Sequence, residues 1–258
     1  MANESNRLAA DLRRGFYETA FRRRDIREFL PDPIPDEVMA RVLVAAHHAG
    51  SVGFTQPWNF IIVKDLDRRR LVKQVFEQER TNNASQFDDD RRAKFSSFKL
   101  EGILEAPLNL IVTCERGHFG PGVLGLTAIE DVEIYSTCLA VQNLWLAARA
   151  EGLGVGWVSI LRNDAIRSIF RIPQTILPVA YLCIGYVDRF STQPMLERAG
   201  WARRSSLRSL LRFDSWENDS DPNGNLSQLV EEPAIWNEIF GKEQAGRPIT
   251  AGSDTSNR

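Results

Sequence analysis

The sequence has few cysteines, no long hydrophobic run and almost no net charge. Its three cysteines, Cys114, Cys138 and Cys183, lie far apart in apolar stretches, which favours buried free thiols and a reducing compartment over a disulfide framework or a metal cluster. No apolar run approaches membrane-spanning length, and the N-terminus lacks a secretion signal. The 32 basic and 34 acidic residues give a net charge of -2, so no global field attracts nucleic acid or a membrane. We therefore expect a cytoplasmic protein with neither partner.

Motifs of several well-known ligand sites are also missing. The sequence has no G-x-G-x-x-G after a strand, no P-loop, no H-E-x-x-H and no C-x-x-C, so Rossmann, nucleotide triphosphatase and zinc sites have no support. His47 and His48 lie near a predicted helix end, where a cation favours the helix dipole; catalysis is the alternative role. His118 has no visible partner for metal binding. We expect no metal site.

Hydrophobic periodicity predicts helices and strands in loose alternation. Apolar residues at a spacing near four predict an amphipathic helix up to about Phe21, and Pro35 with two following acidic residues begins a helix that ends at Gly50. An apolar helix over 129–150 is expected to be central, because more than one of its faces is apolar. Strands are predicted at 58–63, 108–114, 155–160 and 179–186, and further helices around 71–76 and from Asn163 or Asp164. The expected class is α+β or α/β.

Two polar stretches interrupt this pattern. Residues 81–97 offer little to a core, and we expect a mobile excursion or lid there. Beyond Trp216 the composition is again polar, apart from an apolar island at 226–240 that is suited to docking, and 243–258 are expected to be disordered. The sequence thus predicts one domain over 1–216 and a partly disordered extension over 217–258.

An arginine cluster is the most informative feature. The stretch RRRDIREF at 22–29 places four guanidinium groups within six positions. Arginine presents a planar fork of donors that matches phosphate oxygens, and each charge-assisted hydrogen bond contributes roughly 1.5 to 3 kcal/mol. The cluster indicates an anion site for a phosphorylated ligand. A solvated basic turn paired with nearby acids is the alternative.

A loop rich in small, polar and aromatic residues follows about two dozen residues later. The segment SVGFTQPWNF at 51–60 lets the backbone approach a ligand, supplies hydrogen-bonding groups and offers an apolar surface. A flavin ring fits that combination. Alternatively, Trp58 and Phe60 are core residues of an ordinary strand; for Trp58 alone, we favour the core.

These two segments together resemble a motif pair of the nitroreductase family. RRRDIREF is similar to the family's R-R-S-x-R-x-F, and SVGFTQPWNF is similar to its S-x-x-N-x-Q-P-W; the segments at 99–116, 135–160 and 178–190 extend the likeness over residues from about 16 to 216. The resemblance implies an α+β fold with a central mixed, mainly antiparallel sheet flanked by helices, and a homodimer with its flavin site at the subunit interface. Gly53-Phe54 departs from the family's Asn-containing segment.

Two residues point to one branch of this family. Asp25 stands where most nitroreductases carry Ser, and Ser159 ends the sequence GWVS. In these two positions the sequence resembles the family members that take reduced FMN as substrate. Those members add dioxygen at C4a of the flavin and release 5,6-dimethylbenzimidazole, the lower ligand of cobalamin. The resemblance implies that Ser159 lies near C4a and N5 and that Asp25 accepts a proton from, or orients, the ribityl carbon. A salt-bridge partner for the arginines is the alternative role of Asp25.

The remaining site residues are transferred position by position. The resemblance implies that Arg23, Arg24 and Arg27, with Ile26 between them, hold the FMN phosphate and ribityl chain, and that Arg198 is a further phosphate ligand. The other residues implied in flavin binding are Ser51 and Gln56 from the partner subunit, Lys99 at the pyrimidine edge, and Gly156 and Trp157 near the reactive face.

Two other functions remain open at this point. An NAD(P)H-dependent FMN nitroreductase keeps and recycles its flavin, whereas a non-catalytic flavin-binding protein uses the same arginines for affinity alone. The favoured oxidoreductase also needs a flavin reductase as the source of its FMNH2.

Overall fold

A computed structural model describes residues 6–117, 120, 124–125, 128–222, 224–230 and 232. The chain divides into two compact units. One consists of Arg23–Phe190, and the other combines the two ends of the chain, Met1–Arg22 and Ser191–Arg258. The predicted partition at residue 216 stays a prediction. The predicted disorder of 243–258 and most of the apolar island at 226–240 fall outside the described residues, as does His118.

The helices and strands of the larger unit alternate along the chain. They are α2 (Asp36–His47), β1 (Trp58–Val63), α3 (Leu66–Ala84), α4 (Asp89–Ser97), β2 (Leu108–Glu115), α5 (Val132–Ala150), β3 (Leu153–Trp157), α6 (Asn163–Phe170) and β4 (Ile176–Tyr186). The smaller unit contains α1 (Ala10–Arg22), α7 (Met195–Arg198) and α8 (Leu226–Leu229).

The four strands form one antiparallel sheet in the order β1-β2-β4-β3. Seven of the eight residues of β2 are buried, as expected for a strand covered on both faces. Asp25 adds an isolated parallel bridge to Val155 of β3. The predicted α+β class with a mixed, mainly antiparallel sheet is therefore confirmed.

Each face of the sheet is covered by helices. Because successive strand residues point to opposite faces, Leu110 and Val112 join one buried cluster with α2 and α5, whereas Ile111 joins a second cluster with α3 and α6. Nine residues of α5 are buried, which confirms its predicted central position. The residue Trp58 is also buried, in the first cluster, so its interpretation as a core residue is confirmed.

The segment 81–97 is helical except at 85–88, contrary to the polar excursion that its composition predicted. Helix α3 continues to Ala84, and α4 begins after Asp88, whose side chain accepts a hydrogen bond from Arg91 N at 2.9 Å. Arg80 Nη2 of α3 donates to backbone carbonyls at both Ser96 and Phe98. Side-chain bonds to the backbone thus compensate for the small apolar content.

In the smaller unit, α1 confirms the predicted first helix. Its residues Leu12 and Phe16 are exposed, and Arg22 pairs with Glu18 at 3.4 Å. Among the described residues of the whole chain, no helix has both the length and the apolar character needed to cross a membrane.

Candidate active site

The segment that carries the arginine cluster runs beside β3. Ile26 N donates to Val155 O at 3.0 Å, and Leu30 N donates to Tyr186 O of β4 at 2.8 Å. The segment therefore extends the sheet locally beyond β3. Its side chains are held at fixed positions next to the C-terminal end of that strand.

Two glycines of β3 make this close approach possible. A methyl group at Gly156 would collide with Ile26 O and lie 2.6 Å from Arg27 Nη1. A methyl group at Gly154 would lie 2.9 Å from Ile26 Cγ1 and 2.5 Å from Val187 Cγ1. Both positions require glycine because a neighbouring segment occupies the space of a side chain.

Asp25 and Arg27 form a two-pronged ion pair at the end of β3. Arg27 Nη1 donates to Asp25 Oδ1 at 2.6 Å, and Arg27 Nη2 donates to Asp25 Oδ2. Trp157 takes part through its backbone: its N donates to Asp25 Oδ1 at 3.0 Å, and its O accepts from Arg27 Nη2 at 2.9 Å. The salt-bridge role that the sequence left open for Asp25 is thus present.

Opposing influences act on the Asp25 carboxyl group. Desolvation raises the pKa of Asp25 above its ordinary value, and this effect exceeds the lowering by Arg27, by the Trp157 N–H and by Arg23. The side chain is nevertheless 47% exposed in the single chain. The bidentate geometry fits the ionised form, in which both oxygens accept hydrogen bonds.

Trp145 of α5 contacts the arginine segment through its ring and its indole N–H. Its Nε1 donates to Arg24 O at 3.2 Å, and the Arg23 guanidinium lies 4.8 Å from the centre of its ring. Its ring also lies 6.5 Å from that of Trp157. No local sequence signal indicates this role, because Trp145 lies more than a hundred residues from Arg24 along the chain, in an apolar helix.

Residues 51–56 form a tight turn with an exposed tip, and the rest of the predicted loop leads into β1. Ser51 Oγ accepts from Gln56 N at 3.2 Å, and Val52 N donates to Ser136 Oγ of α5 at the same distance. Phe54 and Gln56 have positive φ values, 55° and 45°. Phe54 is 79% exposed, so this loop presents an aromatic side chain outward from a backbone fixed at both ends.

Three predicted site residues lie apart from this cluster or lack polar contacts with it. Lys99 Nζ pairs with Glu105 Oε1 at 2.9 Å. Ser159 is exposed and lies two residues beyond Trp157. Arg198 belongs to the smaller unit, where its Nη1 donates to Ser191 Oγ at 3.2 Å. Their roles in flavin binding stay predictions.

The loop that carries Lys99 is held by buried charges. Arg69 donates through Nε and Nη2 to Ile103 O at 2.8 and 2.6 Å, and Glu101 Oε2 accepts from Ile103 N at 2.7 Å. Lys73 pairs with Glu101 at 2.5 Å. These contacts make 99–106 a rigid segment next to Phe29, whose ring lies against Gly102.

The cluster fits an anionic ligand better than a metal. Within the described part of the chain, no group of three or more His, Cys, Asp or Glu side chains is placed to hold a metal ion. In contrast, Arg23 and Arg24 bring two guanidinium groups to one segment, which Gly154 and Gly156 allow to lie directly against β3. Such an arrangement suits a phosphate group with an aromatic ring beside it.

Comparisons with known proteins agree with this geometry. The sequence model of the nitroreductase family matches residues 20–186. A 5,6-dimethylbenzimidazole synthase of Rhodospirillum rubrum is 41% identical over 182 residues, covering 70% of this chain and 86% of that protein. Another, from Rhodobacter capsulatus, is 37% identical over 179 residues, covering 69% and 86%.

A solved structure extends the agreement to the fold. Oxidised iodotyrosine deiodinase bound to FMN and 3-iodo-L-tyrosine aligns with a TM-score of 0.62 at 22% identity, covering 78% of this chain and all of that one. This likeness confirms the predicted nitroreductase-like fold.

Proposed function

Because the chain belongs to the nitroreductase family, we propose that it is an oxidoreductase that converts reduced FMN and dioxygen to 5,6-dimethylbenzimidazole. The observation that carries this proposal is the 41% identity to a synthase of that name over 86% of its length. The Asp25–Arg27 pair at the end of β3 supports it, because it places a fixed carboxylate beside the predicted flavin site. FMN is therefore a substrate here.

Arg23 and Arg24 are the proposed ligands of the FMN phosphate. The Trp145 ring contacts the Arg23 guanidinium, and Arg24 Nη1 donates to Arg23 O at 2.7 Å. Both side chains are thus partly ordered before the phosphate binds, which reduces the entropy lost on binding. Two charge-assisted hydrogen bonds at roughly 1.5 to 3 kcal/mol each suffice to discriminate FMN from riboflavin. Arg198 is a further proposed ligand.

The ring of the flavin is proposed to lie against the end of β3. The reduced flavin itself supplies the electrons for the reaction with dioxygen. The protein positions the ring through the backbone at Ile26, Gly156 and Trp157, excludes bulk water and manages protons. In this arrangement Asp25 accepts a proton, and Ser159 donates a hydrogen bond to the reactive region of the ring.

We also propose a homodimer with the flavin site at its interface. Exposed apolar side chains lie on neighbouring elements of the larger unit: Val44 on α2, Phe54 on the 51–56 turn, and Tyr135 and Leu139 one turn apart on α5. A second copy covers such a patch in a symmetric dimer. Its 51–56 turn then supplies Ser51 and Gln56 to the first copy's flavin, while Lys99 approaches the pyrimidine edge.

The remaining proposals concern the surroundings of the reaction. We propose a cytoplasmic location, because the free thiols at 114, 138 and 183 suit a reducing compartment. We also propose that a separate flavin reductase supplies FMNH2. Helix α4 is the proposed cover of the flavin. A chain without residues 85–97 that retained product yield from FMNH2 would contradict that cover.

Product analysis tests the function directly. Purified protein is mixed with excess FMNH2 in air, and the products are identified by mass spectrometry; we expect 5,6-dimethylbenzimidazole in amounts that grow with protein concentration. Steady oxidation of NADPH with catalytic FMN, without this product, would instead identify a nitroreductase. Bound flavin that is neither fragmented nor recycled would identify a flavin-binding protein.

A further inference from the structure

The guanidinium group of Arg27 is already occupied by the protein. Its two terminal nitrogens carry four hydrogens, and each nitrogen has two acceptors: Asp25 Oδ1 and Ile26 O for Nη1, and Asp25 Oδ2 and Trp157 O for Nη2. The side chain is 13% exposed. Its Nε is buried without a hydrogen-bond partner.

We propose that Arg27 is a positioning residue that fixes the Asp25 carboxylate against the end of β3, and that it does not bind the flavin phosphate. The proposal rests on the proposed function, because it concerns the same site. It separates Arg27 from Arg23 and Arg24, which the motif alone treats as equivalent.

Charge and geometry oppose phosphate binding by Arg27. A phosphate at its terminal nitrogens would have to displace the Asp25 carboxylate, which already occupies the fork of donors in two-pronged fashion. Displacement would leave a carboxylate next to a phosphate, and like charges at close range repel. The Arg23 guanidinium, in contrast, lies 4.8 Å from the centre of the Trp145 ring, on a different residue from the Asp25–Trp157 contacts that hold Arg27.

The surrounding backbone is shaped for this pair. Gly156 leaves the space in which Arg27 Nη1 lies, since a methyl group there would approach it to 2.6 Å. Trp157 contributes both an acceptor to Arg27 and a donor to Asp25. The pair is therefore built into the end of β3.

The pair also selects one oxygen of Asp25 for chemistry. A carboxylate offers about four lone-pair sites. Oδ1 accepts from Arg27 Nη1 and Trp157 N, whereas Oδ2 accepts from Arg27 Nη2. Oδ2 thus keeps one site, and Arg27 fixes its direction. Asp25 remains the catalytic residue, and Arg27 acts through it.

Flavin binding distinguishes a phosphate ligand from a positioning residue. Dissociation constants of oxidised FMN and riboflavin are measured by quenching of flavin fluorescence, for the parent chain and for Arg23→Ala, Arg27→Gln and Arg27→Lys. We expect Arg23→Ala to reduce the preference for FMN over riboflavin at least tenfold, and both Arg27 variants to keep it within about twofold. A tenfold loss in Arg27→Gln that Arg27→Lys restores would overturn the proposal, because lysine preserves a charge for phosphate.

Turnover supplies the second readout. Lysine cannot span both carboxylate oxygens and Trp157 O at once, so we expect Arg27→Lys to lower kcat for product formation at least tenfold with little change in KM. A parental kcat in a folded Arg27→Lys chain would contradict the positioning role. Thermal unfolding of each variant confirms that it is folded. If the parent chain formed no 5,6-dimethylbenzimidazole, the proposed function would fail, while the binding ratios would still decide the role of Arg27.

Discussion

A methyl group at Gly156 is expected to separate the arginine segment from β3. Gly156→Ala places this group against Ile26 O and 2.6 Å from Arg27 Nη1. Three hydrogen bonds join the two segments here: Ile26 N to Val155 O, Arg27 Nη2 to Trp157 O, and the bond from Trp157 N to the carboxylate of residue 25. One neutral and two charge-assisted bonds contribute together about 3.5 to 7.5 kcal/mol.

The expected loss of stability is smaller than this sum, because the variant chain can relax and because Asp25 is partly exposed to solvent. We predict that Gly156→Ala lowers the free energy of unfolding by about 3 kcal/mol, which corresponds to a fall in Tm of about 6 to 12 °C for a unit of this size. FMN affinity falls with it, because the same segment carries Arg23 and Arg24. Calorimetry and fluorescence titration measure the two effects.

Matched alanine variants serve as controls. A methyl group at Gly50 has open space, with no atom within 4 Å, so Gly50→Ala should change stability by less than about 1 kcal/mol. Gly154→Ala meets apolar side chains of Ile26 and Val187 and should cost about 1 to 3 kcal/mol through overpacking. A Gly156→Ala chain with parental Tm and parental FMN affinity would refute the anchoring of the segment.

Three further predictions concern other parts of the site and core. Trp145→Phe removes a buried donor and weakens a cation–π contact, so FMN affinity should fall about 5- to 30-fold while riboflavin affinity is unchanged; equal losses for both flavins in a titration would contradict this role. Arg27→Gln removes the cation that most lowers the pKa of Asp25, so Asp25 is protonated at higher pH and the acid limb of the rate profile should move upward; an unmoved limb would count against Asp25 as proton acceptor. Burial raises the pKa of Cys183 to about 12, so iodoacetamide at pH 8 should label the partly exposed Cys138 well before the buried Cys183. Mass spectrometry of native and unfolded protein measures the order of labelling, and faster labelling of Cys183 in the native protein would contradict this prediction.

Much of the fold was predictable because its elements have strong local signals. The apolar, β-branched run between Pro57 and Lys64 predicted β1 with its observed bounds. Strand β3 was predicted two residues late at its start, where Gly154 has low strand propensity, and three residues late at its end. The presence of Gly154 and Gly156 is explained by the neighbouring segment at 25–27, which is a tertiary contact.

The sequence-based prediction was wrong where polar side-chain hydrogen bonds, and not apolar burial, stabilise a helix. The polar composition of 81–97 predicted an excursion, yet Asp88 caps α4 and Arg80 joins α3 to the end of α4. The sequence also favours Asn163 or Asp164 as the N-cap of α6, whereas α6 begins at Asn163 and the N-cap residue is Arg162, which makes no side-chain capping bond. Capping and cross-helix bonds depend on geometry that hydropathy does not encode.

The candidate site was predictable in its residues but not in its pairings. The stretch at 22–29 predicted an anion site, and the alternative that Asp25 pairs with an arginine is realised with Arg27. Sequence spacing treats Arg23, Arg24 and Arg27 alike. The three arginines differ only in their tertiary contacts: Trp145 of α5 approaches Arg23 and Arg24, and Trp157 of β3 bonds to Arg27. Sequence spacing cannot predict these contacts, because each joins residues more than a hundred positions apart.

A crystal structure of the protein with FMN tests the central claim most directly. We predict that the phosphate lies within hydrogen-bond distance of the Arg23 and Arg24 guanidinium groups, that the ring faces Asp25 and Ser159, and that the Asp25–Arg27 pair is intact. A phosphate bound elsewhere, with both arginines directed into solvent, would contradict the account.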